Sequence, residues 1–138
     1  MEAYRKVSAF IPYKTKNGKV YIFLQKRAKN ARRAPGMFGF FGGGIEEGET
    51  AYEALLREVK EELDFVPNKE PNLYQELSLP VVDLSFFTLR VDDDFESKIK
   101  ILEGDYGKWF SEEDYIKNKD LITGEHSVLD KLYMDLIK

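Results

Sequence analysis

Glu58, Glu61 and Glu62 are the residues whose type and spacing first suggest chemistry. In an α-helix each residue advances by about 100°, so positions three and four apart share one face and their carboxylates converge. Gathering like charges destabilises an isolated helix by roughly 0.2–0.5 kcal/mol per pair, a penalty that a bound cation reverses. The chain has no cysteine and one histidine, so the ligands on offer are hard oxygens, which favour Mg²⁺ or Mn²⁺. Mg²⁺ characteristically joins a few carboxylates to substrate phosphates and water, and a diphosphate would complete such a shell. The competing reading is a solvated acidic face, since glutamate is a good surface helix former.

The elements that must position these acids are legible around them. Thr50 with Glu53 three residues on predicts a capped helix start, and the helix should run to about Leu63. Tyr52, Leu55, Leu56, Val59 and Leu63 fall on a neighbouring arc that can bury against a sheet, while Ala51 and Ala54 are small. Gly42-Gly43-Gly44 precede the helix. Upstream, β-rich runs at 7–12 and 20–27 flank Asn17-Gly18, a type I′ turn signal, and predict a hairpin. Lys26, Arg27, Lys29, Arg32 and Arg33 crowd the following loop, and Pro35-Gly36 breaks the chain before a short aromatic strand at 37–41. Further strands are predicted at 73–79, 82–91, 99–102 and 108–110. A short helix over 112–116 behind Ser111 and an amphipathic C-terminal helix over 125–137 complete an α/β chain with a mixed sheet.

Composition narrows the classes. A chain of 138 residues with 43% hydrophobic and 14% aromatic residues is expected to form one domain, residues 1–138, with a substantial core. Without cysteine there is no disulfide framework, thiolate zinc site or cysteine nucleophile. His126, the single histidine, supports neither a multi-histidine zinc site nor a triad, and a capping or surface role is expected. A net charge of -4 argues against a nucleic-acid polymer as partner, though free nucleotides stay open. The N-terminal residues lack a secretory pattern and no apolar run reaches membrane-spanning length, so a cytoplasmic protein is expected. Asp92, Asp94, Glu96 and Glu103 imitate an EF-hand loop, but Ser97 occupies the turn position that requires glycine, which rejects calcium.

Gly43, Glu49 and the run Arg57-Glu58-Val59-Lys60-Glu61-Glu62-Leu63-Asp64-Phe65 follow the spacing G-x5-E-x7-R-E-U-x-E-E-x-G-U, with U aliphatic or bulky. The chain thereby resembles the Nudix hydrolase family. With average residue usage such a match arises by chance on the order of once in ten thousand. One consensus glycine is replaced by Asp64, at a position after the helix where a left-handed residue is wanted. Aspartate tolerates that conformation better than most residues, so a modest stability penalty is expected.

The resemblance implies a Nudix fold, an α/β/α sandwich with a mixed β-sheet, over nearly the whole chain. It implies that Glu58, Glu61 and Glu62 bind divalent metal together with the Gly42 carbonyl, and that Arg57 pairs with Glu49 to orient the carboxylates. A surface pair of Arg57 with Glu61 is the plainer alternative. Gly43, with Gly44 and Gly48, would let the loop bend beside a charged substrate. Residues 103–110 resemble the loop and strand of MutT-type members that bring a further glutamate to the metals, which makes Glu103 a catalytic candidate and Asp105 the fallback. Arg27 stands where family members often place a phosphate-binding arginine, with a solvated loop charge as the alternative. Phe41 replaces a common proline and, with Phe38 and Phe40, could face the substrate base or pack in the core.

The implied reaction is attack of water, deprotonated by a carboxylate such as Glu58 or Glu103, on a phosphorus of a nucleoside diphosphate-X. A nucleoside or deoxynucleoside triphosphate giving a monophosphate and pyrophosphate is the first expectation, with ADP-ribose and nucleotide sugars as alternatives. Thr123-Gly124-Glu125 stands where members that clean oxidised guanine nucleotides carry asparagine, which argues against that specificity. A nucleotide sensor without catalysis and a purely structural interaction module are the rival classes, and a monomer or homodimer suits each.

Overall fold

The computed structural model describes residues 4–123 and 126–136. In chain order its strands are β1 (Arg5–Lys16), β2 (Lys19–Lys26), β3 (Phe38–Gly39), β4 (Phe41–Gly44), β5 (Asn72–Leu79), β6 (Val82–Arg90) and β7 (Tyr106–Ser111). The helices are α1 (Ala51–Leu63), α2 (Glu112–Lys117) and α3 (His126–Leu136).

β1 organises the sheet. Asn17 and Gly18 both take positive φ, 52° and 77°, as a type I′ turn demands, and return the chain along β1 as β2. On one edge β1 meets β2 through its second half and β4 through its first half, where Val7 faces Gly44 and Phe10 faces Phe41. On the other edge it runs parallel to β6, which pairs antiparallel with β5. β3 and β7 add to β2, so the sheet is mixed.

Alternation along the strands feeds two cores. Ala9 and Ile11 of β1, Ile22 and Leu24 of β2, and Phe86 of β6 pack under Val128, Leu129 and Leu132 of α3. Phe10, Phe23, Phe87 and Leu89, out of phase with those, pack under Leu55, Val59 and Leu63 of α1. Helices thus cover both faces of the sheet, each by an apolar stripe.

Two sequence expectations change. The aromatic run at 37–41 is two strands interrupted at Phe40, because β3 joins β2 while β4 joins β1. Residues 99–102 are not a strand. The N–H groups of Lys100 and Leu102 instead donate to the carbonyls of Leu63 and Glu62, at 2.9 and 2.8 Å. The last carbonyls of a helix lack intrahelical donors, and this extended segment supplies them. The expected ends of the C-terminal helix, Glu125 and Ile137, lie outside the described residues, as does Gly124. Among the described residues, no helix is long and apolar enough to cross a membrane.

Candidate active site

Local chemistry fixes α1 before any acid is considered. The Thr50 hydroxyl accepts from the Glu53 N–H at 3.1 Å while the Glu53 carboxylate accepts from the Thr50 N–H at 2.9 Å, a complete capping box. Leu55, Val59 and Leu63 are fully buried, and Ser8 of β1 donates to the Ala51 carbonyl at 2.7 Å. The helix closes on Asp64 at φ 49°, ψ 43°, the left-handed conformation that the missing glycine would have taken. With one flank so anchored, the helix turns Glu58 and Glu62 toward β4.

Gly42 donates its N–H to the Glu62 carboxylate at 2.7 Å. Any side chain at Gly42 would run into the Ser8 carbonyl, and its φ of 123° is itself a glycine conformation. A Cβ at Gly43 would lie 2.6 Å from the Glu58 carboxyl carbon, so the bare backbone of β4 is what lets that carboxylate approach. Glu62 is only 4% exposed. Burial pushes its carboxyl up to about 8, the Gly42 N–H opposing this and the neighbouring Glu103 and Glu58 reinforcing it. Glu58 is also raised, by burial first, with the Arg57 guanidinium working against the shift.

Arg57 is the hub of the upper half of the site. Its Nε and Nη2 donate to the two carboxylate oxygens of Glu49 at 2.8 and 2.9 Å. Nη1 donates to Glu58 at 2.8 Å and Nη2 to the Gly44 carbonyl at 2.9 Å. Glu61 stands farther off at 3.6 Å, with over half its side chain in solvent, so the plain surface pair is the minor contact. Fork geometry of this kind fixes orientation as well as charge. The Arg57 hydrogen bonds hold the Glu49 carboxyl down at about 2, helped by the Glu46 N–H, and raise Arg57 itself.

Glu103 reaches the same place from the β6–β7 connection. The Leu102 N–H bond to the Glu62 carbonyl sets the backbone, and Glu103 comes near enough to Glu62 to help raise its carboxyl. The fold therefore gathers Glu49, Arg57, Glu58, Glu62 and Glu103 beside Gly42 and Gly43, with Glu61 on the rim. Among the described residues, no three acidic or histidine side chains already close on a common point. Glu58 is tied to Arg57, and Glu61 is turned largely to solvent. The donor set nonetheless suits a hard divalent cation. Glu62 is buried and, among the described residues, has no cationic side chain as partner, so a cation would supply its missing counter-charge.

Beyond the glycines, on the α3 side of the sheet, lies a cavity of about 340 Å³. Arg5, Arg27 and Arg33 line it together with Phe40, Phe86 and Thr123. Arg27 sits just past β2, its Nε donating to the Arg33 carbonyl at 2.7 Å. Of the two readings left open for Phe41, its side chain takes the core. Phe41 is 1% exposed, stacked on Phe23 at 5.6 Å in the core under α1, where burial of an aromatic ring outweighs any gain at the surface. Phe41 still borders the cavity, and its neighbour Phe40, on the opposite face of the chain, lines it too.

Arg33 and Arg5 were not singled out from the sequence as site residues. The crowded basic loop pointed to Arg33, but nothing local distinguishes it from Arg32, which is not a lining residue. Arg5 is brought in by β1 pairing and carried no signal. His126 opens α3, its Nε2 lying 2.7 Å from the Ile122 carbonyl.

A model of the NUDIX domain family matches residues 4–132, and the chain belongs to that family. Over 43 residues it is 51% identical to nucleoside triphosphatase NudI of Salmonella agona (strain SL483). That match covers 31% of this chain and 30% of the relative, so less than a third of either protein is compared. The fold is shared with DR0079 from Deinococcus radiodurans, with a TM-score of 0.75 and 17% identity over 94% of this chain and 82% of the other. It is shared also with a C. elegans Ap4A hydrolase in a binary complex, with a TM-score of 0.67 and 22% identity over 96% and 97% of the two chains.

Proposed function

We propose that this chain acts, as a single Nudix domain, as a divalent-cation-dependent pyrophosphohydrolase of nucleoside diphosphate-X compounds. A nucleoside or deoxynucleoside triphosphate is its substrate, and a monophosphate and pyrophosphate are its products. One observation carries the reading: the buried Glu62 carboxylate, without a cationic partner among the described residues, lies against Gly42 and beside Glu58 and Glu103. A structural role would not bury an acid among acids, since each like charge raises the energy of the next.

Glu58, Glu61, Glu62 and the Gly42 carbonyl would hold Mg²⁺ or Mn²⁺, which neutralises charge developing on the phosphate oxygens. The chain's own groups do the rest. Glu103 or Glu58 takes a proton from water as its oxygen bonds to phosphorus, and the bridging P–O bond breaks with its electron pair leaving on pyrophosphate. Arg57 keeps the Glu58 carboxylate aimed, because Glu49 fixes its fork from behind. Arg27 and Arg33 supply positive charge in the adjoining cavity for the polyphosphate, and Phe40 offers an aromatic wall. The 43-residue likeness to a nucleoside triphosphatase supports the choice of a triphosphate.

The test is a nucleotide panel of ordinary and oxidised triphosphates, dinucleoside polyphosphates, ADP-ribose and nucleotide sugars, each with and without Mg²⁺ or Mn²⁺. The expected outcome is pyrophosphate release from triphosphates with cation present. Preferential cleavage of ADP-ribose or a nucleotide sugar would replace the substrate class, and binding without any cleavage would make the protein a nucleotide sensor.

A further inference from the structure

Gln25 occupies a phase of β2 that otherwise carries aromatic core: Phe23, two residues before it, packs under α1. The amide is buried, at 4% exposure, and its Nε2 donates to the main-chain carbonyl of Glu103 at 3.1 Å. Gly104 follows at φ 79°, and a Cβ there would lie 2.7 Å from the Lys26 carbonyl and 2.9 Å from the Gln25 Cγ. The Asp105 N–H then donates to that same Lys26 carbonyl at 2.8 Å. The end of β2 therefore grips the chain on both sides of the Glu103–Gly104 peptide.

The grip matters because the rest of this connection is held from the opposite direction. Leu102 and Lys100 hang on the C-terminal carbonyls of α1, and Phe95 is sunk among Phe23, Phe65 and Trp109. Glu103 stands where the two sets of restraints meet. Glu103 is an exposed residue, so its own packing does not hold it.

We propose that Gln25 is a positioning residue for the hydrolytic reaction, holding the Glu103 peptide so that the Glu103 carboxyl faces Glu62. This rests on the reading of Glu103 as part of the hydrolytic site. Burying a glutamine amide in an aromatic phase of a strand is unfavourable unless its hydrogen bond is made, and here the bond goes to the backbone of that one acid. Without the donor, the peptide keeps the Asp105 bond but loses its buried anchor, and the carboxyl samples positions away from the other acids.

The experiment uses Gln25→Met, which keeps length and apolar bulk and removes the donor, and Gly104→Ala, which disturbs the same peptide from the other side. Hydrogen exchange on the cation-free protein should show the Leu102 and Asp105 amides opening about tenfold faster in both variants, with the Val59 and Leu63 amides unchanged. In turnover, Gln25→Met should lower kcat by about tenfold at nearly constant KM. It should add nothing further in a Glu103→Gln background. Unchanged exchange at Asp105, or effects of Gln25→Met and Glu103→Gln that multiply, would overturn the proposal. If exchange accelerates as expected while Glu103→Gln leaves kcat intact, the clamp stands and the hydrolytic role of Glu103 is what fails.

Discussion

At the scale of single residues, two carboxyls are displaced in opposite directions, and each sets a pH dependence. Glu62 lies at about 8 in the fold against 4.5 when free, chiefly because it is buried. A raised value means that protonation favours the folded chain. That contribution is complete below about pH 4.5 and is lost as pH climbs through 8. Cation-free protein should therefore melt at progressively lower temperature across that window, and Glu62→Gln should flatten the slope in a thermal scan. A divalent cation competes with the same proton, so its affinity should rise over the same range in a calorimetric titration. Glu49, held near 2 by Arg57, works the other way: its stabilisation is present above 4.5 and fades as pH falls toward 2. Arg57→Lys keeps the charge and loses the fork to Glu49. Steady-state kinetics should show kcat down by roughly 10–100-fold with KM little changed, and an unaltered kcat would remove Arg57 from the orienting role.

At the scale of elements, α1 makes the acids a site by presenting them from a fixed base. Its two ends are the places to test that. Thr50→Ala removes one half of the capping box and should lower stability by about 0.5–2 kcal/mol in denaturant unfolding. Asp64→Gly relieves a left-handed non-glycine residue and gives up an exposed contact with Lys60 at 2.8 Å. The first effect is the larger, so the variant should gain about 0.5–1 kcal/mol. Both ends of α1 could be read from the sequence, because capping and helix periodicity are local. The hairpin at Asn17-Gly18 was legible for the same reason. The segment 99–102 misled because alternating residues look alike whether they pair with a strand or with spare helix carbonyls, and only the tertiary arrangement decides. Phe41 was ambiguous for a similar reason. Its composition suited both the core and a substrate wall, and the register of β4 on β1, invisible in one sequence, turned it inward.

At the scale of the whole molecule, the sheet brings four separate stretches of chain to one point: β4 with its glycines, the Glu49 turn, α1 and the β6–β7 connection. The acids of α1 were legible because spacing on one helix is a local property. The partnership of Gln25 with Glu103 was not, since it joins β2 to the β6–β7 connection, and these meet only in the fold. A different long-range pairing, of β1 with β6, carries Arg5 to the cavity wall. The account as a whole stands on Glu62 acting as a cation ligand rather than a buried structural acid. The most direct test measures pyrophosphate release from a nucleoside triphosphate against Mg²⁺ concentration, for the wild-type chain and Glu62→Gln side by side. The expected result is saturable dependence on Mg²⁺ in the wild type and near-complete loss of release in the folded variant. Turnover that ignores Mg²⁺, or survives Glu62→Gln undiminished, would contradict it.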